Sequence, residues 1–283
     1  MSADRPVYRG MDAATVESQY QPSMHVPSLA PFVEAYAQQG AAARAAVPCE
    51  RVAYGDHPDE WLWYAPAGPA APLFVFVHGG YWRRLSGDDG CFLFPAARAA
   101  GFACASVNYS LCPHEPLDVL VSQVRRAVRF LLGGGLGGHD PSRVHVAGHS
   151  AGGHLAAMTM LEVPDVAGWV YVSGVFDLEP IPFTTINDDV RLDAATARRL
   201  SPLAAPTPDR GPVPVVVTWG ALETAEFARQ SRSWARQWTS VPSHRPPTVV
   251  AAAGRNHFDV LFDLLDPATA LGATVVAQVG SSV

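Results

Sequence analysis

The chain has 283 residues, of which 48% are hydrophobic and 16% are charged, and its formal net charge is −6. This composition is typical of a globular protein with a substantial core, and the absence of a basic patch excludes a nucleic-acid-binding or polybasic membrane-binding protein. All 20 basic residues are arginine, so enzymes that need a catalytic lysine or the lysine of a Walker P-loop are excluded as well.

The four cysteines form no CxxC pair and no zinc-binding spacing, which favours buried, reduced thiols over a disulfide. The opening MSADRPVYRG lacks the regions of a secretory signal, and no apolar run reaches the ~18 residues that a membrane span needs. We therefore expect a cytoplasmic protein with no metal or other cofactor. The high content of Ala, Gly, Pro and Arg indicates a GC-rich bacterial genome.

Two helical patterns, at 12–20 and 31–46, precede any strand pattern. From residue 47 onward, eight short apolar runs are predicted as strands: CERVAYG, EWLWYAP, PLFVFVHGG, FACASVNYS, RVHVAGHS, GWVYVSGV, VPVVVTWG and PTVVAAAGR. Helical patterns alternate with them, at 117–132, 152–161, 224–238 and 258–265. The alternation predicts an α/β fold with a mostly parallel, doubly wound, eight-stranded sheet and helices on both faces.

Two segments lie outside this alternation. Residues 1–45 form an N-terminal helical segment, and residues 179–212 contain several prolines and one short helical pattern. Because a connection this long within a compact domain is typically a lid or a pocket wall, we expect a small cap at 179–212. With no internal repeat and no second core, residues 1–283 are predicted to form a single domain.

The fifth predicted strand runs into Gly148-His149-Ser150-Ala151-Gly152, which a helical pattern follows. A tight strand-to-helix turn forces its central residue into a strained conformation with the side chain projecting from the sheet edge. Glycines are needed on both sides because a Cβ there would contact the neighbouring strand or helix. The pattern predicts Ser150 as a nucleophile, and the alternative is a serine that only caps the helix.

A glycine pair follows the third predicted strand, in His78-Gly79-Gly80-Tyr81-Trp82. Acyl transfer develops an oxyanion, which backbone N–H groups stabilise, and glycine lets the backbone approach a ligand closely. We predict that the N–H of Gly79 or Gly80 forms an oxyanion hole together with that of Ala151. A simple glycine turn is the alternative.

A serine nucleophile needs a base, and the chain offers ten histidines. His257 directly follows the last predicted strand, where an open α/β sheet places its ligand crevice, so it is predicted as the base. Four others are expected to pack in the core or beside the glycine motifs: His78, His145, His149 and His154. The remaining five lie in polar or proline-rich stretches and are expected at the surface: His25, His57, His114, His139 and His244.

The acid that orients the base is expected between the serine and the histidine in the chain. Glu223 lies in the turn after the seventh predicted strand, from which its carboxylate can reach His257 on the neighbouring strand. Asp177, after the sixth predicted strand, is the alternative, since some hydrolases take their acid one strand earlier. Glu226 lies one turn into the next helical pattern and is expected in solvent.

Five stretches, HGGYW, GHSAGGHL, SGVFDLEPI, GALETAEFARQS and GRNHF, together resemble the kynurenine formamidase (arylformamidase) branch of the α/β-hydrolases, which is related to the hormone-sensitive-lipase-like esterases. The resemblance covers most of the chain. HGGYW is the discriminating motif, because related esterases more often have a third glycine where Tyr81 stands. The better-known members have an aspartate at the position of Glu223.

The resemblance implies an α/β-hydrolase fold and the same site residues that the motifs predict: Ser150, His257, Glu223, Gly79, Gly80 and Ala151, with Trp82 near the pocket. Tyr81 and Trp82 are expected to bind the substrate and, beside the oxyanion hole, to favour short acyl groups on an aromatic leaving group. The preferred small-molecule substrate is then N-formyl-L-kynurenine, cleaved to L-kynurenine and formate as in tryptophan catabolism.

Two other functions stay open, a short-chain carboxylesterase that acts on aryl or alkyl esters and a catalytically inactive hydrolase fold that binds a small molecule. The intact set of serine, base and acid argues against the inactive fold. We expect a monomer or a homodimer.

Overall fold

The computed structural model describes residues 5–281; residues 1–4 and 282–283, at the two ends of the predicted domain, lie outside the described part. Its centre is an eight-stranded sheet made of Glu50–Ala53 (β1), Trp61–Ala65 (β2), Leu73–Val77 (β3), Ala103–Val107 (β4), Val144–His149 (β5), Gly168–Val172 (β6), Val215–Gly220 (β7) and Thr248–Ala252 (β8). The strand order is β1-β2-β4-β3-β5-β6-β7-β8.

Strand β2 pairs antiparallel with both β1 and β4, and every other pair in the sheet is parallel. Each of the eight runs predicted as strands contains one strand. The prediction of a mostly parallel eight-stranded sheet is therefore confirmed.

Helices connect the strands of the described chain. The α-helices are Ala13–Tyr20 (α1), Ala30–Ala46 (α2), Phe94–Ala99 (α3), Leu117–Leu132 (α4), Ala151–Met160 (α5), Asn187–Val190 (α6), Ala194–Arg199 (α7), Ala225–Thr239 (α8) and Ala270–Gly280 (α9). Short 3-10 helices lie at Pro22–His25, Gly87–Leu93, Pro141–Arg143, Ile181–Phe183, Pro202–Ala204 and Asp259–Asp263. The helix predicted at 258–265 is thus only a 3-10 turn, and the sequence patterns did not indicate α3 or α9.

The central strands are buried on both faces, as their continuous apolar sequences predict. Along β3, alternate side chains enter two separate hydrophobic clusters, with Val75 on one side and Phe74 and Phe76 on the other. Residues of α4, α5 and α8 complete the first cluster, and residues of α2, α3 and α9 complete the second. The sheet is therefore covered by helices on both faces.

The segment 179–212 contains four short helical pieces, so the prediction of one short helical stretch was wrong. The two 3-10 helices in it both have proline in the first turn, where proline's fixed φ and missing N–H are tolerated. Buried apolar side chains, among them Ile181 and Ile186, attach the segment to the core. Whether it serves as a lid stays a prediction.

The four cysteines are unpaired, as expected, although Cys49 is partly exposed. Within residues 5–281, no helix combines the length and the apolar character that crossing a bilayer requires.

Candidate active site

Ser150 lies between β5 and α5 with φ 54° and ψ −117°, a backbone conformation that L-residues rarely adopt. The flanking glycines make this turn possible. A Cβ on Gly148 would lie 2.2 Å from the Gly152 carbonyl oxygen, and a Cβ on Gly152 would lie 2.1 Å from the carbonyl oxygen of Val77 in β3. Both positions therefore require glycine, because a side chain would clash with the helix or with the neighbouring strand, as the sequence predicts.

A chain of hydrogen bonds connects Ser150 to a histidine and a carboxylate. The Nε2 atom of His257 lies 3.0 Å from Ser150 Oγ, and its Nδ1 atom lies 2.7 Å from Glu223 Oε2. The side chains of His257 and Glu223 are 5% and 1% exposed. The other carboxylate oxygen, Oε1, accepts hydrogen bonds from Ser173 Oγ and the Gly220 N–H, each at 2.6 Å. Since the Nδ1 proton faces a carboxylate, the Nε2 lone pair faces the serine.

Asp177, the alternative acid, and Glu226 both lie away from His257. Asp177 Oδ2 accepts a hydrogen bond of 2.5 Å from the Tyr8 hydroxyl and does not contact His257. Glu226 accepts a hydrogen bond from Tyr20 at 2.7 Å and is only 7% exposed. The expectation that Glu226 is solvated was wrong, because α1 packs over this part of α8.

His149 packs against the histidine that faces Ser150. Its ring centroid lies 4.8 Å from that of His257, and its Nε2–H donates to the His257 carbonyl oxygen at 2.9 Å. Burial, together with the neighbouring His257 imidazole, holds the pKa of His149 well below its usual value. A neutral His149 therefore attaches the loop after β8 to the turn that carries Ser150.

Two further histidines support the glycine motifs, as expected. His78 donates from Nδ1 to the Gly79 carbonyl at 2.8 Å and stacks on Tyr109. His154 accepts a hydrogen bond from Trp82 Nε1 at 3.1 Å. Burial lowers the pKa of His78 and of His154 to about 4, so both are neutral at physiological pH.

Two histidines expected at the surface are buried instead. His139 hydrogen bonds with the Tyr64 hydroxyl at 2.8 Å, and His244 stacks on Trp238 with ring centroids 3.9 Å apart. The polar flanking sequence indicated exposure, and this was wrong because an aromatic partner covers each ring.

The predicted oxyanion-hole residues surround Ser150. Gly79 is buried so close to the nucleophile turn that a Cβ on it would lie 3.2 Å from Ser150 Cβ. Gly80 follows with φ 101° and lines the same pocket as Ser150. Ala151 is the first residue of α5, where an N–H has no acceptor within its own helix. The loop after β3 and the first residue of α5 therefore both lie beside Ser150.

A pocket of about 490 Å³ opens over Ser150 and His257. Part of its wall comes from the N-terminal segment and the start of α2: Glu17, Gln21, Pro22, Ser23, Met24, Leu29, Val33 and Tyr36. No residue of 179–212 lines it; that segment reaches the rim through the ion pair of Asp189 with Arg83 at 2.7 Å. The pattern at 12–46 predicted helices but gave no sign of their position over the serine.

Tyr81 lines the pocket, as expected of a substrate-binding residue, but Trp82 does not. The indole of Trp82 is fully buried and points into the core against His154. The expectation that Trp82 contacts the substrate was therefore wrong. Both residues have positive φ, 50° and 58°, and this backbone conformation turns successive side chains in different directions.

Sequence reasoning also missed Ser173, which holds the carboxylate of Glu223. A signal was available, since Ser173 lies near the end of the sixth predicted strand, at the same edge of the sheet. No group of three or more His, Cys, Asp or Glu side chains in residues 5–281 is arranged to hold a metal ion.

Comparison with known proteins gives consistent results. A family model described as the alpha/beta hydrolase fold matches residues 74–258. A kynurenine formamidase from Danio rerio is 31% identical over 244 residues, which cover 82% of this chain and 82% of the relative. A second, from Salmo salar, is 29% identical over 249 residues with the same coverage of both chains.

Solved structures show the same architecture. A candidate thioesterase from Silicibacter sp. tm1040 superposes with a TM-score of 0.81 at 26% identity, over 92% of this chain and 98% of that one. An esterase of the bacterial hormone-sensitive lipase family superposes with a TM-score of 0.69 at 22% identity, over 95% of each chain. This second likeness concerns the fold alone.

Proposed function

Because the chain belongs to the α/β-hydrolase family, in its kynurenine formamidase-like branch, and is a hydrolase, we propose that it is a serine hydrolase that cleaves the formyl group from an aryl formamide, with N-formyl-L-kynurenine as the preferred substrate. The observation that carries this proposal is the hydrogen-bonded chain from Glu223 through His257 to Ser150 at the floor of an open pocket.

In the proposed reaction Ser150 Oγ attacks the formyl carbon while His257 Nε2 takes its proton. The N–H groups of Gly80 and Ala151 stabilise the oxyanion that forms. His257 then protonates the leaving arylamine, and water hydrolyses the formyl-enzyme with His257 as the base. Glu223 keeps the Nδ1 proton in place and stabilises the imidazolium.

The pocket wall suits a small acyl group on an aromatic leaving group. Tyr81 stands directly after Gly80 and fills space that a third glycine would leave open, which favours formyl over longer acyl chains. Met24, Leu29 and Val33 supply an apolar wall against which an aryl ring would be buried.

The charges at the rim suit a leaving group that carries a carboxylate. Arg83 is paired with Asp189, whereas Arg84 lines the pocket and has no salt-bridge partner in the part of the chain that the structure describes. A guanidinium without a carboxylate partner can pair with the α-carboxylate of N-formyl-L-kynurenine. Simple alkyl and aryl esters lack this group.

A side-by-side measurement of kcat/KM on N-formyl-L-kynurenine and on p-nitrophenyl acetate tests the proposal. The formamide should be the better substrate by at least about tenfold, which corresponds to ~1.4 kcal/mol of transition-state stabilisation. The reverse preference would replace the proposal by a short-chain carboxylesterase. No turnover of either substrate would favour the inactive, ligand-binding fold.

A further inference from the structure

The two carboxylates that His257 does not use both hold α1 in place. Tyr8, just before this helix, donates its hydroxyl proton to Asp177, and Tyr20, its last residue, donates to Glu226. Arg229 connects the two pairs, since it donates to the Tyr8 hydroxyl at 2.9 Å and to both oxygens of Glu226 at 2.9 Å. Burial raises the pKa of both tyrosines, so their hydroxyls stay protonated donors.

The last two carbonyl groups of α1 in turn contact two loops of the candidate site. The Gln19 carbonyl accepts a hydrogen bond of 2.7 Å from Thr224 Oγ1, and the Tyr20 carbonyl accepts one from the Tyr81 hydroxyl. The last four carbonyls of a helix have no acceptor role within it, so both are available. Thr224 directly follows Glu223.

The loop that Tyr81 belongs to needs such support. Gly80, Tyr81 and Trp82 have φ angles of 101°, 50° and 58°, and the left-handed region is unfavourable for a non-glycine residue. A Cβ on Gly80 would lie 2.2 Å from the Arg84 carbonyl oxygen, so this loop folds back tightly on itself. The direction of the Gly80 N–H depends on this strained backbone.

We propose that the C-terminal end of α1 acts as a bracket, which fixes the loop that contains Gly80 relative to the turn that contains Glu223. Tyr81 is then a positioning residue for the Gly80 N–H, and Thr224 is a positioning residue for Glu223. The inference rests on the proposed function, because the Gly80 N–H and Glu223 have these roles only in the serine hydrolase reaction. It gives a reason for a tyrosine where related esterases more often have glycine.

The substitution Tyr81→Phe tests the bracket, because it removes only the hydroxyl that reaches α1. Tyr54→Phe is the matched control: the Tyr54 hydroxyl also donates to a backbone carbonyl, that of Asn108 at 2.6 Å, and Tyr54 is buried away from the pocket. Both variants should lower the urea midpoint of unfolding by a similar amount, because each loses one hydrogen bond to a backbone carbonyl. Only Tyr81→Phe should lower kcat on N-formyl-L-kynurenine, by roughly 10- to 100-fold, since loss of a whole oxyanion donor costs about 10²–10³.

Affinity for phenylboronic acid provides a readout without turnover, because the boronate forms a tetrahedral adduct with a nucleophilic serine. Its Kd should rise in Tyr81→Phe by about the same factor by which kcat falls, with KM for the substrate little changed, as expected of an interaction made only in the transition state. Equal kcat values and equal boronate affinities for Tyr81→Phe and Tyr54→Phe would overturn the role of Tyr81.

The substitution Thr224→Val tests the second contact of the bracket, the hydrogen bond from Thr224 to the Gln19 carbonyl. It also keeps the proposal testable if Tyr81→Phe does not fold. Thr224 precedes α8 but its side chain makes no capping hydrogen bond, so valine removes only the bond to α1. A displaced Glu223 would stabilise the His257 imidazolium less in the transition state, so kcat on N-formyl-L-kynurenine should fall roughly tenfold with KM little changed. An unchanged kcat would overturn the positioning role of Thr224.

Failure of the bracket and failure of the proposed function give different results. Normal wild-type turnover with unaffected Tyr81→Phe and Thr224→Val variants would overturn the bracket alone. A wild-type protein that neither turns over a formamide or an ester nor binds the boronate would overturn the proposed function, and the bracket with it.

Discussion

Replacing Glu223 by glutamine keeps the shape of the side chain but exchanges one carboxylate oxygen for an NH₂ group. One oxygen of Glu223 accepts from the Gly220 N–H and from Ser173, and the other accepts from His257. Because the Gly220 N–H can only donate, the glutamine must turn its oxygen toward Gly220 and its NH₂ toward His257 Nδ1. The imidazole must then carry its proton on Nε2, which faces Ser150, and it cannot accept the serine proton.

The same exchange in a protease triad lowers kcat by about 10⁴, which corresponds to ~5 kcal/mol, and we expect a loss of this size in Glu223→Gln. Glu223→Asp should be intermediate, because it keeps the charge but is one methylene short of His257. Asp177→Asn should keep most of its turnover, since an asparagine oxygen can still accept from Tyr8. Steady-state kinetics on N-formyl-L-kynurenine, with folding checked by circular dichroism, measures all three. An active Glu223→Gln beside an inactive Asp177→Asn would refute the reasoning and assign the acid to Asp177, in the connection after β6.

Three further predictions concern packing, specificity and pH. Gly152→Ala places a Cβ 2.1 Å from the Val77 carbonyl oxygen and should lower the free energy of unfolding in urea by at least ~3 kcal/mol. Gly135→Ala is the control, because its Cβ meets nothing within 4 Å, and it should lower this free energy by less than ~0.5 kcal/mol. Equal losses would contradict the requirement for glycine at position 152. Arg84→Gln should lower kcat/KM roughly tenfold on N-formyl-L-kynurenine and leave the neutral substrate formanilide unaffected, and an equal loss on both would exclude recognition of the carboxylate. His145 is buried without a hydrogen-bond partner for either ring nitrogen among the described residues, and burial lowers its pKa to about 4. The contribution of neutral His145 to stability is therefore complete above pH ~6.5 and is lost as the pH falls toward 4. In this range His145→Leu should reduce the slope of the unfolding free energy against pH by about 1.4 kcal/mol per pH unit. An unchanged slope would show that His145 does not titrate in this way.

The features that the sequence predicted correctly follow from local pattern and sheet topology. Strands buried on both faces must be continuously apolar, so all eight appeared as short hydrophobic runs. Parallel strands end at one edge of the sheet, which is why residues after three different strands, Ser150, Glu223 and His257, could be expected to meet. The flanking glycines of Ser150 were interpretable because their close contacts arise from the turn itself.

The features that the sequence did not predict depend on contacts between distant parts of the chain. Glu226 appeared solvated because its burial comes from Tyr20, 206 positions away. Trp82 was expected in the pocket from the family resemblance, together with Tyr81, but two successive left-handed residues turn its indole into the core. No periodicity in residues 12–36 indicates which surface their helices cover, so the main pocket wall was expected at 179–212 instead.

The most direct test of the account is the covalent labelling of Ser150 by an organophosphonate, read by mass spectrometry of the intact protein and its peptides. One adduct should form per chain, on the peptide that contains Ser150. It should be absent in Ser150→Ala, which should also lose roughly 10⁴–10⁶ in kcat while remaining folded. An unlabelled wild-type protein, a label on another residue, or continued turnover by Ser150→Ala would contradict the assignment of this serine as the nucleophile.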